Sequence, residues 1–253
     1  MYAVTPEAAE AWSALFRRVS ALSGVALEII PHAFPRPVAE LWARPDLACA
    51  FMCGWPWARG VADVVPVAAP VPAGTGQPLY WSDLVVAADS AARSLADLAG
   101  GRVAFTLRDS QSGFNALRHH VRAQDGPRFG AEVGPLTTPR RVIEAVAEGR
   151  ADIGPVDSYA HALLRRYAPA LAARVRVIDR TEPMPTPLLV ASSGTDPAVI
   201  GRLRSALLGL RERGVLEPLA LDGFVPPLPR EAYAVMACRA HQAEAAGMPG
   251  LLL

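Results

Sequence analysis

The chain has 253 residues, 51% of them hydrophobic, and its 25 basic side chains nearly balance 24 acidic ones for a net charge of +1. That length allows one large or two modest domains with well-buried cores, and the balanced charge excludes the positive excess of a nucleic-acid-binding domain. Every basic side chain other than histidine is arginine, which we read as composition bias without functional content. Three cysteines cannot form a closed disulfide framework, and Cys49 and Cys53 are expected as buried thiols. No zinc-ligand spacing is present, so neither a metal nor a cofactor is expected. The N-terminal MYAVTPEAAEAW lacks a basic region, a long apolar region and a cleavage site, and no run is long enough to span a membrane. A soluble chain with neither secretory signal nor membrane insertion is the resulting expectation.

Thr5 and Pro6 predict a helix start, with Trp12, Leu15, Phe16, Val19 and Leu22 on one face and Gly24 at the end. Val25–Ile30 reads as a strand, and a Pro-rich turn around Pro35 and Pro37 leads to a short helix through Leu41 and Trp42. Leu47–Met52 then reads as a buried strand. Alternating strands and helices predict a parallel sheet layered with helices. Cys53 to Trp57 follows as a loop at the strand's carboxyl end, where Trp55 serves either as a hydrophobic plug or as an aromatic ligand wall. Val61–Val71 is extended, and Tyr80–Ala88 reads as a crossing into a second lobe.

In that second lobe, Ser94–Leu98 forms a helical turn. The stretch RVAFTLRDSQSGFNALR, residues 102–118, passes from an alternating strand through Ser110, Gln111, Ser112 and Gly113 into a helix faced by Phe114, Leu117 and Val121. Backbone N–H groups left over at such a turn, two hydroxyls and the positive end of the helix dipole outline an anion site. On the turn alone helix capping is the simpler role for Ser110 or Ser112. Neither nucleotide-binding glycine motif is present. Glu132–Leu136 reads as a strand, Thr138 and Pro139 cap a helix that stops at Gly149, and Ala151–Val156 is a strand entering a helix through Asp157 and Ser158. After the strand Val175–Ile178, the segment from Thr181 to Val190 reads as the return crossing, with Leu188–Ala191 as its strand. Asp196 and Pro197 open a helix reaching Leu210, and Glu231–Ala246 is a final helix expected against the first lobe.

These pieces carry a resemblance. Tyr80-Trp81-Ser82, Ser94 to Leu98 with Gly100 and Gly101, and Ser110-Gln111-Ser112-Gly113 stand in order with Ala145 to Asp152 and Asp157-Ser158. Pro183–Pro187 and the closing Ala246 to Leu251 complete the series. Together they resemble the substrate-binding components of phosphate, phosphite and phosphonate ABC importers, a branch of the type II periplasmic binding protein fold. The resemblance implies an α/β two-lobed clamp, each lobe a sheet flanked by helices and joined by two extended hinge crossings. Lobe 1 comprises 1–82 plus 187–253, and lobe 2 is the inserted 83–186. It implies that the Ser-x-Ser-Gly turn holds a small oxyanion, that the Tyr80 hydroxyl reaches it, and that Asp157 either holds a polar ligand tail or caps its helix. Where related proteins often carry Gly-x-His, this chain has Thr137-Thr138-Pro139, so a threonine hydroxyl stands in for a charged donor. Thr186 replaces the acid expected for a cationic ligand tail.

The resulting expectation is a monomeric solute-binding protein with no chemistry of its own, its ligand-binding residues Ser110, Gln111, Ser112, Gly113, Tyr80, Thr137, Thr138, Asp157 and Trp55, its partners a small oxyanion and an ABC permease. An enzyme on the same bilobal fold in a cofactor-biosynthesis type of reaction, using Asp157 or His161, and a cytoplasmic ligand sensor are the alternatives. His119 and His120 are expected at the surface. The resemblance implies a periplasmic location, and the absent leader keeps the cytoplasm open.

Overall fold

The computed structural model describes residues 2–32 and 36–245. The Pro35 turn and the closing Ala246–Leu251 motif therefore lie outside the described residues. In chain order the elements begin with α1 (Pro6–Ser23), α2 (Val38–Trp42), β1 (Ala50–Met52), α3 (Gly54–Ala58), β2 (Val64–Pro72), β3 (Leu79–Tyr80) and β4 (Ser82–Ala87). A 3₁₀ turn (Ala96–Leu98), β5 (Arg102–Ala104), a π-turn (Gln111–Asn115), α4 (Ala116–Ala123), β6 (Ala131–Val133), α5 (Pro139–Ala147), β7 (Gly154–Asp157) and α6 (Ser158–Tyr167) follow. The chain continues through α7 (Pro169–Ala172), β8 (Val175–Arg180), β9 (Met184–Pro185), β10 (Leu188–Ser192), α8 (Pro197–Gly209), α9 (Arg213–Leu216), β11 (Leu221–Val225) and α10 (Arg230–Ala245).

Two units emerge. Unit 1 is Met1–Leu79 with Pro185–Tyr233; unit 2 is Tyr80–Met184 with the chain from Ala234 on. The chain passes between them at β3 and at β9, and a third passage falls inside α10. From position 234 onward that helix makes its contacts with unit 2: Met236 and Ala240 offer carbonyls to Asn115 and Arg118. The expectation that the final helix packs on the first lobe holds only for its first turn, where Tyr233 stacks edge-on against Trp57 of unit 1.

Unit 1 is built on the sheet β1-β10-β2-β11, in which every neighbouring pair is antiparallel. The parallel sheet expected from alternation is thus not what forms here. Alternation reports the order of elements, whereas pairing direction depends on which strands meet, and β2 lies between two strands that arrive from the far end of the chain. Val25–Ile30 is not a strand either. Its amides find no ladder among the described residues, Ser20 Oγ donates to Val25 O at 2.6 Å and accepts from Leu27 N at 3.3 Å, and Ile29 and Ile30 stay exposed. The predicted start of α1 is present: Thr5 Oγ1 accepts from Ala8 N at 3.2 Å, with Trp12, Leu15 and Val19 buried and Leu22 exposed. Cys53 to Trp57, expected as a loop, enters the short helix α3. Cys53 is buried, Cys49 is partly exposed at the residue level, and burial pushes the Cys49 thiol up to about 12.

In unit 2, β4 is central, antiparallel to β7 on one side and to β8 on the other. β5 and β6 are parallel, and β5 also meets the start of β7 through the parallel bridge Val103–Ile153, where Ala104 N donates to Ile153 O at 2.8 Å. The joined order is therefore β6-β5-β7-β4-β8. Phe105, Phe114, Leu117, Val121, Phe129 and Ile153 form the core between this sheet and α4. On the opposite face α5 approaches so closely that a Cβ on Gly154 would lie 2.4 Å from Val142 Cγ1.

That approach predicts that Gly154→Ala destabilises the protein by about 1–3 kcal/mol, the range for overpacking a core. Thermal or urea unfolding measures the loss, and adding Val142→Ala is expected to recover part of it; equal losses in the single and double variants would show that Val142 is not the obstacle.

Candidate functional site

Because β6, β5 and β7 run the same way, their carboxyl ends share one edge of unit 2, and each strand leads from that edge into a helix. The three N-termini are capped by three different side chains. Ser110 Oγ accepts from Gly113 N at 3.0 Å, Thr138 Oγ1 accepts from Arg141 N at 3.2 Å, and Asp157 Oδ1 accepts from Tyr159 N and Ala160 N at 3.0 and 2.9 Å. Each cap satisfies part of a terminus and leaves further N–H groups and the positive end of the dipole at the same edge.

Backbone bonds hold these termini together. Thr106, just beyond β5, donates its N–H to Gly113 O at 3.2 Å and accepts at its carbonyl from Thr137 N at 3.0 Å. Ser112 Oγ donates to Asp157 Oδ2 at 3.4 Å, and Ser112 O accepts from Ser82 Oγ at 2.7 Å. Ser82 is also the residue paired with Asp157 across β4 and β7. Thr137 has φ +66°, a left-handed conformation rare for a β-branched residue. Its own hydroxyl donates to Leu136 O at 2.6 Å.

Behind the Ser110 turn lies a buried polar chain. Asn115 Nδ2 donates to Gln111 Oε1 at 2.8 Å and to Met236 O at 3.1 Å, while Arg118 Nη2 donates to Asn115 Oδ1 and to Ala240 O, both at 3.1 Å. Arg118 is 1% exposed. Burial lowers its pKa, Glu244 opposes that shift, and the guanidinium lies 5.4 Å from the Phe114 ring centre. Gln111 is thereby fixed from behind, through α4, by the C-terminal helix. Arg108 sits over the rings of Phe105 and Phe114 and pairs with Glu132.

A second buried cluster centres on Asp83 of β4. His161 Nδ1 lies 2.7 Å from Asp83 Oδ2, and because an ionised carboxylate only accepts, the proton belongs to the imidazole nitrogen. Trp81 Nε1 donates to Asp83 Oδ1 at 3.0 Å and Arg180 Nε at 3.2 Å, with Arg165 at 3.9 Å. Burial works to raise the Asp83 pKa, but His161, Trp81 and Arg165 outweigh it, and the net direction is down. His161 is thus tied to a structural carboxylate. His120, expected at the surface, is buried against Asp179 at 2.8 Å, and His119 is half-buried with its pKa lowered by burial and by Arg239 and Arg122.

Elsewhere on unit 2 a cavity of about 500 Å³ is lined by Arg93, Ser94, Gln124, Asp125, Ile178 and Asp179 among others. It opens at the C-terminal end of α4, the negative end of that helix, and takes in none of the three capped termini.

A family model described as the periplasmic substrate-binding protein of phosphonate ABC transporters matches residues 3–233. The chain belongs to this family. It is a family of binding proteins and not of enzymes. The chain is similar in structure to PhnD1 from Prochlorococcus marinus in complex with methylphosphonate, at 15% identity and TM-score 0.78 over 94% of each chain. It is also similar to a binding protein component of an ABC phosphonate transporter from Pseudomonas aeruginosa, at 18% identity and TM-score 0.74 over 94% of this chain and 82% of that one. A third similar structure is XAC2383 from Xanthomonas citri bound to ATP, at 19% identity and TM-score 0.65 over 93% of each chain. At these identities the likeness establishes the two-lobed α/β fold. No curated protein matches the chain.

Of the residues singled out in the sequence, Ser110, Gln111, Ser112, Gly113, Thr137, Thr138 and Asp157 come together at the carboxyl edge of unit 2. Tyr80 is buried at the start of this unit, two residues before Ser82. Trp55 belongs to unit 1, where it is buried beside Trp57 and Cys53, with the Arg59 guanidinium 5.7 Å from its ring centre. Sequence reasoning missed Thr106, Asn115, Arg118 and Asp83. Thr106 had a usable signal, a polar residue at the carboxyl end of a buried strand, where α/β sheets place ligands.

Asp83 gives the site a pH dependence. A carboxylate whose folded pKa is depressed contributes stability above its unfolded pKa, and that contribution is lost as pH falls through the folded value. Asp83→Asn is expected to lower unfolding free energy at neutral pH by about 3 kcal/mol, the scale for breaking a buried pair. The difference from wild type should shrink in acid below the usual carboxylate range, as followed by denaturant titration; a gap independent of pH would mean that packing, not the ionised carboxylate, sets the loss.

Proposed function

We propose that the carboxyl edge of unit 2 binds a small phosphorus oxyanion, a phosphonate or phosphate-like ligand, which the protein presents to an ABC permease from the periplasm. The observation that carries this reading is the convergence of three helix N-termini around Ser110. Because Ser110 Oγ is already an acceptor from Gly113 N, its own hydrogen is available to an anion. Membership of a phosphonate-binding family and likeness to a protein seen with methylphosphonate point to the same ligand class. No described helix is long and apolar enough to cross a membrane, which accords with a ligand carrier that hands its cargo to a separate permease.

Electrostatics favours a singly charged ligand. Each helix terminus acts as about half a positive charge, so three supply about +1.5. The Asp157 carboxylate, a full negative charge, reduces this to about +0.5, and Thr138, whose hydroxyl keeps its hydrogen, adds a neutral donor in place of a cation. A monoanion matches the remainder better than a dianion does. Ser112 spends its hydroxyl on Asp157, which fixes that carboxylate and leaves Ser110 as the hydroxyl of the turn that faces a ligand.

Isothermal titration and thermal shift with methylphosphonate, phosphate, phosphite and sulfate test the reading. A ligand at a hundredfold its Kd adds about 2.7 kcal/mol to the folded state. Ser110→Ala should weaken binding at least tenfold, and because it also removes a helix cap, the ligand-induced increment is the quantity to compare, not the midpoint itself. Absence of binding by any phosphorus oxyanion would overturn the proposal.

A further inference from the structure

Thr106 is 5% exposed, and its hydroxyl oxygen is buried with no hydrogen-bond partner among the described residues, although its N–H and carbonyl are both bonded, to Gly113 and Thr137. The oxygen lies directly against the Ser110 turn. A Cβ added to Gly113 would fall 1.8 Å from Thr106 Oγ1 and 2.9 Å from Ser110 Oγ, so only glycine at 113 lets the two hydroxyls approach from either side of the turn. We infer that Thr106 is a further ligand-binding residue, its hydroxyl donating to the bound oxyanion beside Ser110; this rests on the function proposed above.

Two considerations lead there. A buried hydroxyl left unpaired is unfavourable, and threonine ordinarily avoids this by turning its oxygen to a nearby backbone carbonyl. Valine has the same outline and would fill the position without a polar atom, so the hydroxyl is an expense to the empty protein that an acceptor arriving at the site removes. Location supplies the second reason. Thr106 is the residue through which the Ser110 arm and the Thr137 arm are bonded, so a ligand held by both arms meets it. With Ser112 engaged by Asp157 and Thr137 by Leu136, the hydroxyls at this edge with a hydrogen to offer include Ser110 and Thr106.

The test uses the full chain with methylphosphonate and inorganic phosphate as probes, and compares wild type with Thr106→Val and Thr106→Ser. For Thr106→Val we expect an unliganded unfolding midpoint equal to or above that of wild type, and affinity for the bound probe at least tenfold weaker, about 1.4 kcal/mol. Thr106→Ser, which keeps the donor, should bind within about threefold of wild type. This combination, stability kept and affinity lost, is one that a purely structural threonine would not give. Wild type that binds a probe while Thr106→Val binds it equally well overturns the inference alone. So does Thr106→Ser losing affinity as fully as Thr106→Val, because packing and not the hydroxyl would then be responsible. Wild type that binds neither probe overturns the oxyanion reading itself, and this inference with it.

Discussion

Parallel pairing within β6-β5-β7 is the constraint on which the site depends. A parallel strand must be followed by a connection that returns to the same starting edge, and here each return is a helix whose N-terminus lies where its strand ends. Three termini consequently meet at one edge without any side chain having to bring them there. Ser110, Thr138 and Asp157 then differentiate them: two neutral hydroxyl caps and one carboxylate, the latter tied back to Ser112. β4 contributes from the other side, since its antiparallel register sets Ser82 opposite Asp157 and lets the Ser82 hydroxyl hold the Ser112 carbonyl.

A turn made of small polar residues would be too loose to present donors in fixed directions, and the surrounding buried groups supply the stiffness. Gln111, Asn115 and Arg118 form a chain of hydrogen bonds that ends on two carbonyls of α10, one helical turn apart. Every link is desolvated, so breaking one leaves its partner unpaired, and the arrangement acts as a unit. Asp83 plays a comparable part on β4, where His161, Trp81 and Arg180 converge on one carboxylate.

Much of unit 2 was legible in the sequence because its signals are local. Ser110, Thr138 and Asp157 each precede a periodic apolar run by the spacing of an N-cap, and Pro139 sits at the first helical position. The two-lobed fold was legible through an ordered series of short motifs. What was not legible depends on distant partners. Nothing near Ala50 or Val64 states that β10, more than a hundred residues later, will pair antiparallel with both β1 and β2. Val25–Ile30 has strand composition but no strand to join, so Ser20 fixes it as irregular chain. Asn115 and Arg118 read as ordinary helix residues until α10 is docked on them, and His120 looks exposed until Asp179 is seen beside it.

Two local rules are broken within a few bonds of each other, and where they are broken is informative. Thr137 holds a β-branched residue in the left-handed region, and Thr106, whose carbonyl its amide bonds, carries a buried hydroxyl without a partner among the described residues. Either feature could have been relieved by one substitution, glycine or asparagine at 137 and valine at 106, with no change to the surrounding elements. Unit 2 has other departures, Asp125 at φ +46° and buried nitrogens of His119 and Arg122 without a partner among the described residues, but these lie on α4 and just beyond its C-terminal end, not at the edge where the three termini meet. Two departures joined by one hydrogen bond, at the edge that collects three helix termini, support the proposed binding role, since the ligand-free fold gains nothing from either. The helix termini make the edge attractive to any small anion, and the placement of Thr106 and Thr137 is what gives it a shape of its own.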